Sequence, residues 1–258
     1  MQKPDIQEFS NFIIDYVSAM VSIGTYSSRI NRCAIRIAQS YGYTLNLNFS
    51  FNRTIINIID PDDYSSLRTY IVKNKFLLID FTLISNLSAL SWAIYDHIHD
   101  IKVAKRCFKK LISTKKRPMY SYVLIQSIGS AAFSRLFGGD FATLFLIFFS
   151  TLVGASLKML GMKFNVGIRI LYLCCSFISS YIAYIGVSLN LTNTPEVALG
   201  SSILYLIPGV FFINSVIDIL KDYIQVGLSK IINIIILIIC IALGLYLTLI
   251  LSDFRLVQ

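Results

Sequence analysis

In a chain of 258 residues, 55% are hydrophobic and only 14% charged. With a mean hydropathy of +0.68, this is too apolar for a protein that is soluble throughout, and long uncharged runs mark an integral membrane protein of mainly α class. The formal net charge of +9 is concentrated in one block, where Lys102, Lys105, Arg106, Lys109, Lys110, Lys115, Lys116 and Arg117 follow one another with no acid among them. A basic run directly before a membrane span is a topology and headgroup signal. Without aromatic interleaving or a binding motif, it does not indicate nucleic acid.

Residues 1–117 read as an amino-terminal α+β cytoplasmic domain that ends in a basic juxtamembrane helix. The chain opens Met1-Gln2-Lys3-Pro4-Asp5, without the charged, apolar and small-residue order of a secretory leader, so its amino end is expected in the cytoplasm. Ile6, Phe9, Ile13, Tyr16, Val17 and Met20 recur at helical spacing and predict an amphipathic helix to about Gly24. A second helix is expected over 27–41, with Ile30, Ile37 and Tyr41 inward, Arg29, Arg32 and Arg36 outward, and Gly42 as its stop. Leu45, Leu47, Phe49 and Phe51 alternate with Asn46, Asn48, Ser50 and Asn52, which is the period of a half-buried strand. Residues 54–60 read as its partner, Pro61-Asp62-Asp63 as a turn, and 67–72 as a third strand. A helical pattern with a break then runs from about Phe76 to Ile112.

Asp96-His97-Ile98-His99-Asp100 contains both histidines of the chain. On a helix, His97 and His99 point about 200° apart, so a solvated helix end is the better reading than a metal site. There is no GxSxG elbow, no phosphate-binding glycine loop and no HExxH helix. Accordingly no catalytic residue, metal ligand or cofactor is assigned. The cysteines, Cys33, Cys107, Cys174, Cys175 and Cys240, lack metal or redox spacing and read as packing residues.

Residues 118–258 read as a bundle of about five transmembrane helices, with approximate spans 118–137, 141–157, 166–187, 196–217 and 228–251. Gly138-Gly139-Asp140 is a tight turn between the first two. Arg135 and Asp140 flank it, and a headgroup-level ion pair is favoured over a gating role. Ser176, Ser179, Ser180, Tyr181 and Tyr184 on the third span suit interhelical hydrogen bonding, with contact to a polar solute as the alternative. Basic segments at 102–117, 158–169 and 221–230 are expected in the cytoplasm, while Gly138-Gly139 and 189–195 face outward.

The fourth span breaks the rules for one. Pro208-Gly209 predicts a kink, because proline removes a backbone donor and clashes with the preceding turn. Beyond it, Asn214, Asp218, Lys221 and Asp222 recur at helical spacing, so an apolar segment ends in a kink and an ionisable stripe. Such a segment suits part of a solute path, and equally a helix leaving the bilayer. A continuous helix over 196–222 would be about 40 Å long against about 30 Å of hydrocarbon, placing Asp218 at the cytoplasmic interface.

The stretch TNTPEVALGSSILYLIPGVFFINSVIDILKDYIQVGLSK, with Pro208, Gly209, Asn214, Asp218 and Gly227, resembles the threonine/serine exporter (ThrE) family, in particular its split, YjjP-like half. IGTYSSRI, with Gly24 and Arg29, is similar to that family's amino-terminal segment, although Thr25 stands where a small alanine is usual. Phe133 with Gly138-Gly139-Asp140 is similar to its first membrane hairpin. The resemblance implies a subunit of a secondary-active inner-membrane exporter in a bacterium. Its solute would be a dicarboxylate such as succinate, or threonine or serine.

The resemblance further implies a separate YjjB-like membrane subunit as partner, membrane lipids around the bundle, and leaves a homo-oligomer open. On this reading Pro208, Gly209, Asn214, Asp218, Lys221, Arg135 and Asp140 are the candidates for the solute or ion path. Asn214 would hydrogen-bond the solute, Asp218 would exchange a proton or pair with a cation, and Arg135, Arg169 or Lys221 would meet a carboxylate. A non-transporting regulatory or assembly subunit is the main alternative. A membrane-tethered hydrolase would need a nucleophile and base within residues 1–112, and no such pair stands out.

Overall fold

The computed structural model of the chain describes residues 3–74, 79–114 and 118–252. Its contacts divide them into two units, one of residues 3–114 with Gly209–Ile232, the other of residues 118–208 with 233–252.

The first unit begins with helix α1 (Ile6–Ser22), whose first-turn amides of Gln7 and Glu8 donate to the Asp5 carboxylate. Its 3–4 spacing buries Phe9, Phe12, Ile13, Tyr16, Val17 and Met20. Gly24, at φ +80°, turns the chain into α2 (Ser27–Ser40), whose Ile30, Ala34 and Ile37 join the same core. Strands β1 (Thr44–Phe49), β2 (Arg53–Asp60) and β3 (Asp63–Lys73) form an antiparallel meander in which Leu45 lies opposite Ile58 and Leu47 opposite Ile56. Lys3 bonds Asp60 and Asp62 beside the tight β2–β3 connection, with 2.7 Å to Asp62. The strand expected over 67–72 is longer than its hydrophobic pattern, because β3 is an edge strand held by pairing to β2 and leaves Leu67 and Ile71 exposed.

Helices α3 (Phe81–Asp96) and α4 (Ile101–Ile112) are each started by an aspartate, Asp80 and Asp100, that accepts from an amide of the first turn. The break expected in this helical pattern falls at residues 97–100 and contains both histidines. Phe76, where the pattern was expected to begin, lies outside the described residues. Two arginines of α2 depart from the outward reading. Arg29 donates to Ser88 Oγ at 3.0 Å, and Arg36 donates to Ser91 Oγ at 2.7 Å while lying 3.5 Å from the Trp92 ring centroid. Their long stems cover the α2–α3 contact and the guanidinium groups find hydroxyl partners there.

Two later elements complete this unit. Helix α9 (Gly209–Leu220) and the start of α10 (Ile224–Leu251) belong to it, and Val226 is buried in its core with Tyr223 packed alongside.

The second unit contains α5 (Met119–Leu136), α6 (Phe141–Lys163), α7 (Ile168–Ser188), α8 (Pro195–Ser201), a 3-10 turn (Leu204–Leu206) and the rest of α10. Its polarity is inverted relative to a soluble domain. Ser127, Ser130, Ser134, Thr143, Ser150, Ser176, Ser179, Ser180 and Thr248 are buried, while Phe145, Phe149, Ile170, Ile185, Ile239 and Leu243 are exposed. Apolar surface turned outward over small hydroxylated contacts is the arrangement of a bundle solvated by lipid. The hydroxyls of α7 bond across helices: Ser176 to the Ile241 carbonyl at 2.7 Å, Ser180 with Thr248 at 2.6 Å, and Tyr184 to the Ser252 carbonyl at 2.9 Å. Gly244 lets α10 approach α7, since a Cβ there would stand 2.5 Å from the Leu173 carbonyl oxygen.

Among the described residues, α6, α7 and α10 are each long and apolar enough to cross a membrane, and the interrupted segment Pro195–Leu206 with Gly209–Leu220 makes a fourth candidate. The first span expected, 118–137, forms α5 but is not among these candidates. Its serines, Gln126 and Arg135 dilute its apolar character.

Candidate functional site

The helix break expected at Pro208-Gly209 is present. After the 3-10 turn, Ile207 is extended (φ −64°, ψ 122°), as a residue before proline prefers, and helix resumes at Gly209. The resumed helix, α9, carries Asn214 and Asp218 four residues apart and therefore on one face.

That face meets the turn between α1 and α2. Asn214 Nδ2 donates to the Gly24 carbonyl at 2.8 Å. The Asp218 carboxylate, with no solvent exposure, accepts from the Ser27 amide at 2.7 Å, from Ser27 Oγ at 3.2 Å and from Lys230 Nζ of α10 at 2.6 Å. Ser27 opens α2, which has no side-chain cap of its own, so a carboxylate from α9 satisfies an amide of its first turn. Asp218 thus holds a negative charge against a helix amino end and an ammonium, three donors on two oxygens.

Close packing allows this geometry. A Cβ at Gly227 would stand 2.8 Å from the Ser215 carbonyl oxygen and 3.1 Å from the Ile219 amide, so only glycine lets α10 come this near α9. The neighbouring Thr25 Oγ1 is buried with no hydrogen-bond partner among the described residues.

The ionisable stripe expected on one face divides. Lys221 and Asp222 follow the end of α9, both exposed, and Asp222 takes φ +66° where the chain turns towards α10. The Tyr223 amide donates to the Asp218 carbonyl at 2.9 Å and closes that end.

Arg135 and Asp140 lie in the second unit and do not form the ion pair expected of them. Arg135 donates to the Gly139 carbonyl at 2.7 Å and lies 4.7 Å from the Phe141 ring centroid. Asp140 starts α6 by accepting from the Thr143 amide at 2.7 Å, and it accepts from the Asn193 amide at 2.9 Å and Thr192 Oγ1 at 3.1 Å. The amides of Asn193 and Thr143 hold its carboxyl well below the usual range, at about 2. The physical reason for the missing pair is competition, since the Thr143 and Asn193 amides already occupy the carboxylate. Arg169 is exposed.

Sequence reasoning missed Ser27 and Lys230, the two residues that bind Asp218. Helix start signals place Ser27 at an amino end, where a carboxylate is favoured, but nothing in a single sequence selects a carboxylate 191 positions away. No group of three or more His, Cys, Asp or Glu side chains suited to a metal ion occurs among the described residues.

A model of the ThrE family, described as "Putative threonine/serine exporter", matches residues 11–252. The chain is similar to the "Probable succinate transporter subunit YjjP" of Escherichia coli (strain K12), at 23% identity over 210 residues that cover 80% of each chain. It is likewise similar to the protein of that name from Klebsiella aerogenes, at 24% identity over 212 residues and 80% of each chain. No solved structure matches it.

Proposed function

The chain belongs to the threonine/serine exporter (ThrE) family, and from that premise we propose that it is one subunit of a secondary-active exporter in a bacterial inner membrane. Its solute is a small carboxylate-bearing metabolite, a dicarboxylate such as succinate or an amino acid such as threonine. It acts with a YjjB-like membrane subunit, and its amino terminus lies in the cytoplasm. The membership in a transporter family, the relatives named as subunits of a succinate transporter, and the inverted polarity of the second unit support this reading.

The observation that carries the mechanism is the buried Asp218 carboxylate, bonded to Lys230 and to the start of α2 beside a helix interruption. A proton taken at an Asp218 oxygen removes the charge that holds the Lys230 ammonium and the Ser27 amide. α9 is then released from the α1–α2 turn, and loss of the proton restores the contact. Binding of a proton is thereby linked to two arrangements of α9, which is what coupling to a proton gradient requires. Asn214, held by the Gly24 carbonyl in this arrangement, is freed with it for the solute.

Efflux of labelled succinate, threonine and serine from cells carrying this chain, the YjjB-like partner, or both is the test. Efflux of one solute class with both chains alone is the expected result. Absence of efflux from an assembled complex turns the assignment to a regulatory or assembly subunit. Asp218→Asn, which keeps the shape but cannot carry the charge, is expected to reduce efflux at unchanged membrane levels. Equal export by the variant removes Asp218 from the mechanism.

A further inference from the structure

The second unit holds an ammonium that has no carboxylate partner among the described residues. Lys158 lies on α6, on the face that also carries Thr151 and Gly154, at helical spacing. The facing side of α7 presents Tyr172, Cys175 and Ser179 at the same spacing, and Ser150 Oγ donates across to the Ser179 carbonyl at 2.6 Å. Lys158 Nζ is 4.8 Å from the ring centroid of Tyr172 and 6.0 Å from that of Tyr205, which comes from the 3-10 turn. Among the described residues it forms no salt bridge; its neighbours are two aromatic faces. Lys158 opens the basic 158–169 segment near the carboxyl end of α6, and its half-buried side chain meets aromatic faces whose cation–π contact offsets only part of the cost of covering the charge.

Two hydroxyls meet at the Tyr205 side chain that Lys158 faces, and a third is carried on the same face of α6. Ser179 Oγ and Tyr205 Oη are 2.9 Å apart and press against the α6 backbone at Gly154, where a Cβ would stand 2.0 Å from one and 2.1 Å from the other. Because these two share a single hydrogen bond, one of their hydrogens is left to donate outward. One turn earlier on α6, Thr151 Oγ1 is fully buried and has no hydrogen-bond partner among the described residues. A buried hydroxyl in that state is unfavourable unless something arrives to accept from it. Leu171, Leu206 and Leu157 pack around the same place and keep it apolar apart from these groups.

We propose that Lys158, with the hydroxyls of Thr151, Ser179 and Tyr205 gathered at Gly154, is the site that takes the carboxylate of the transported solute. One ammonium and two uncommitted hydroxyl hydrogens match the two oxygens of a carboxylate, and the surrounding aromatic and leucine side chains suit a short carbon chain. The other basic residues that could meet a carboxylate are less suited: Arg135 is committed to the Gly139 carbonyl, and Arg169 and Lys221 are exposed. The assignment rests on the exporter reading above and adds to it the place where the solute is recognised.

The full chain, reconstituted with its YjjB-like partner in phosphatidylcholine vesicles, is assayed for uptake of labelled succinate and of labelled threonine over a range of concentrations. For the wild type, saturable uptake of one of them is expected. Lys158→Met is expected to raise the apparent KM for that solute roughly tenfold or more, as loss of a charged hydrogen-bond donor does, with Lys158→Arg recovering part of the loss. Thr151→Val, of nearly equal volume, is expected to raise KM severalfold with little change in the maximal rate. It decides the matter even if Lys158→Met fails to accumulate.

Unchanged KM in Thr151→Val and in whichever Lys158 variants accumulate, beside an active wild type, overturns the site while leaving the exporter reading in place. A wild type inactive towards every probe overturns the exporter reading itself. The same series in vesicles containing phosphatidylglycerol separates the solute from a lipid phosphate. A Lys158 effect seen only with the anionic lipid assigns the ammonium to headgroups and overturns the proposal.

Discussion

Asp218 and Thr25 sit at one turn and show opposite solutions to burying a polar group. Asp218 is fully enclosed and its oxygens are met by Ser27 and Lys230, so its burial is compensated by charge and by oriented donors. Thr25 contributes a hydroxyl that meets nothing among the described residues, at the position where the family resemblance leads one to expect a small alanine. Thr25→Val replaces that hydroxyl by a methyl of the same shape and is expected to stabilise the fold by about 1 kcal/mol, because an unsatisfied buried polar group is removed without opening a cavity. Thermal unfolding in detergent measures it, and a lowered midpoint would show that the hydroxyl has a partner in solution. Asp140 gives a pH dependence whose sign follows from its lowered pKa, about 2 against an ordinary 3.8. Stability from its bonds to the 192–194 loop is fully present above about pH 4 and is lost as the pH falls towards 2, since protonation disfavours acceptance from the Asn193 and Thr143 amides. In Asp140→Asn that acid-induced loosening of the loop, followed by limited proteolysis, is expected to disappear.

At the scale of the elements, the contact of α9 with α10 depends on a single missing side chain. Gly227→Ala brings a Cβ within 2.8 Å of the Ser215 carbonyl oxygen, a backbone atom that cannot swing aside, so the two helices must part. A loss of about 1–3 kcal/mol is expected for such overpacking, together with a weakened contact between Asp218 and Lys230. A variant with unchanged unfolding midpoint and unchanged efflux would mean that the two helices are not held at this distance. Much of this arrangement was legible in the sequence. The alternation of Leu45, Leu47 and Phe49 gave β1, proline with glycine gave the break before α9, and the four-residue spacing of Asn214 and Asp218 put them on one face. Local chemistry sets those features, and local chemistry is what a sequence displays. The partners of Asp218 were not legible, because pairing Ser27 with a residue 191 positions on is a property of the fold. The length of β3 escaped for a related reason: an edge strand is defined by its backbone ladder to β2, while its side chains keep no hydrophobic period. The ion pair expected between Arg135 and Asp140 failed because nearness in sequence does not outrank backbone amides, one from the first turn of α6 and one from the 192–194 loop.

For the whole molecule, charge and polarity argue together about how the chain crosses the membrane. The orientation proposed for the chain puts the basic blocks at 102–117, 158–169 and 221–230 on one side by the positive-inside rule, and the 138–139 turn and the 189–195 loop, both free of lysine and arginine, on the other. That assignment requires α5 to cross, although α5 is not among the helices apolar enough to do so alone. Packing supplies what its composition lacks. Ser127, Ser130 and Ser134 are buried within the second unit, while Leu124, Ile125 and Ile128 are exposed, so the face left for lipid is apolar and the polar face is covered by protein. A helix with its polar face covered in this way can stand across a bilayer as a member of a bundle. Single cysteines placed in a variant lacking the native five, at Asp62, Phe137 and Leu191, test this in intact cells with a thiol reagent that cannot enter. All three positions are exposed. Labelling of the cysteines at 137 and 191, with that at 62 reached only after the cells are opened, is the expected pattern and fixes the amino terminus in the cytoplasm. Equal protection of the cysteines at 62 and 137 would mean that α5 does not cross. The carboxyl ends of α6 and α7 would then each face opposite to the sense the basic blocks demand, and the orientation would have to be set by the partner subunit.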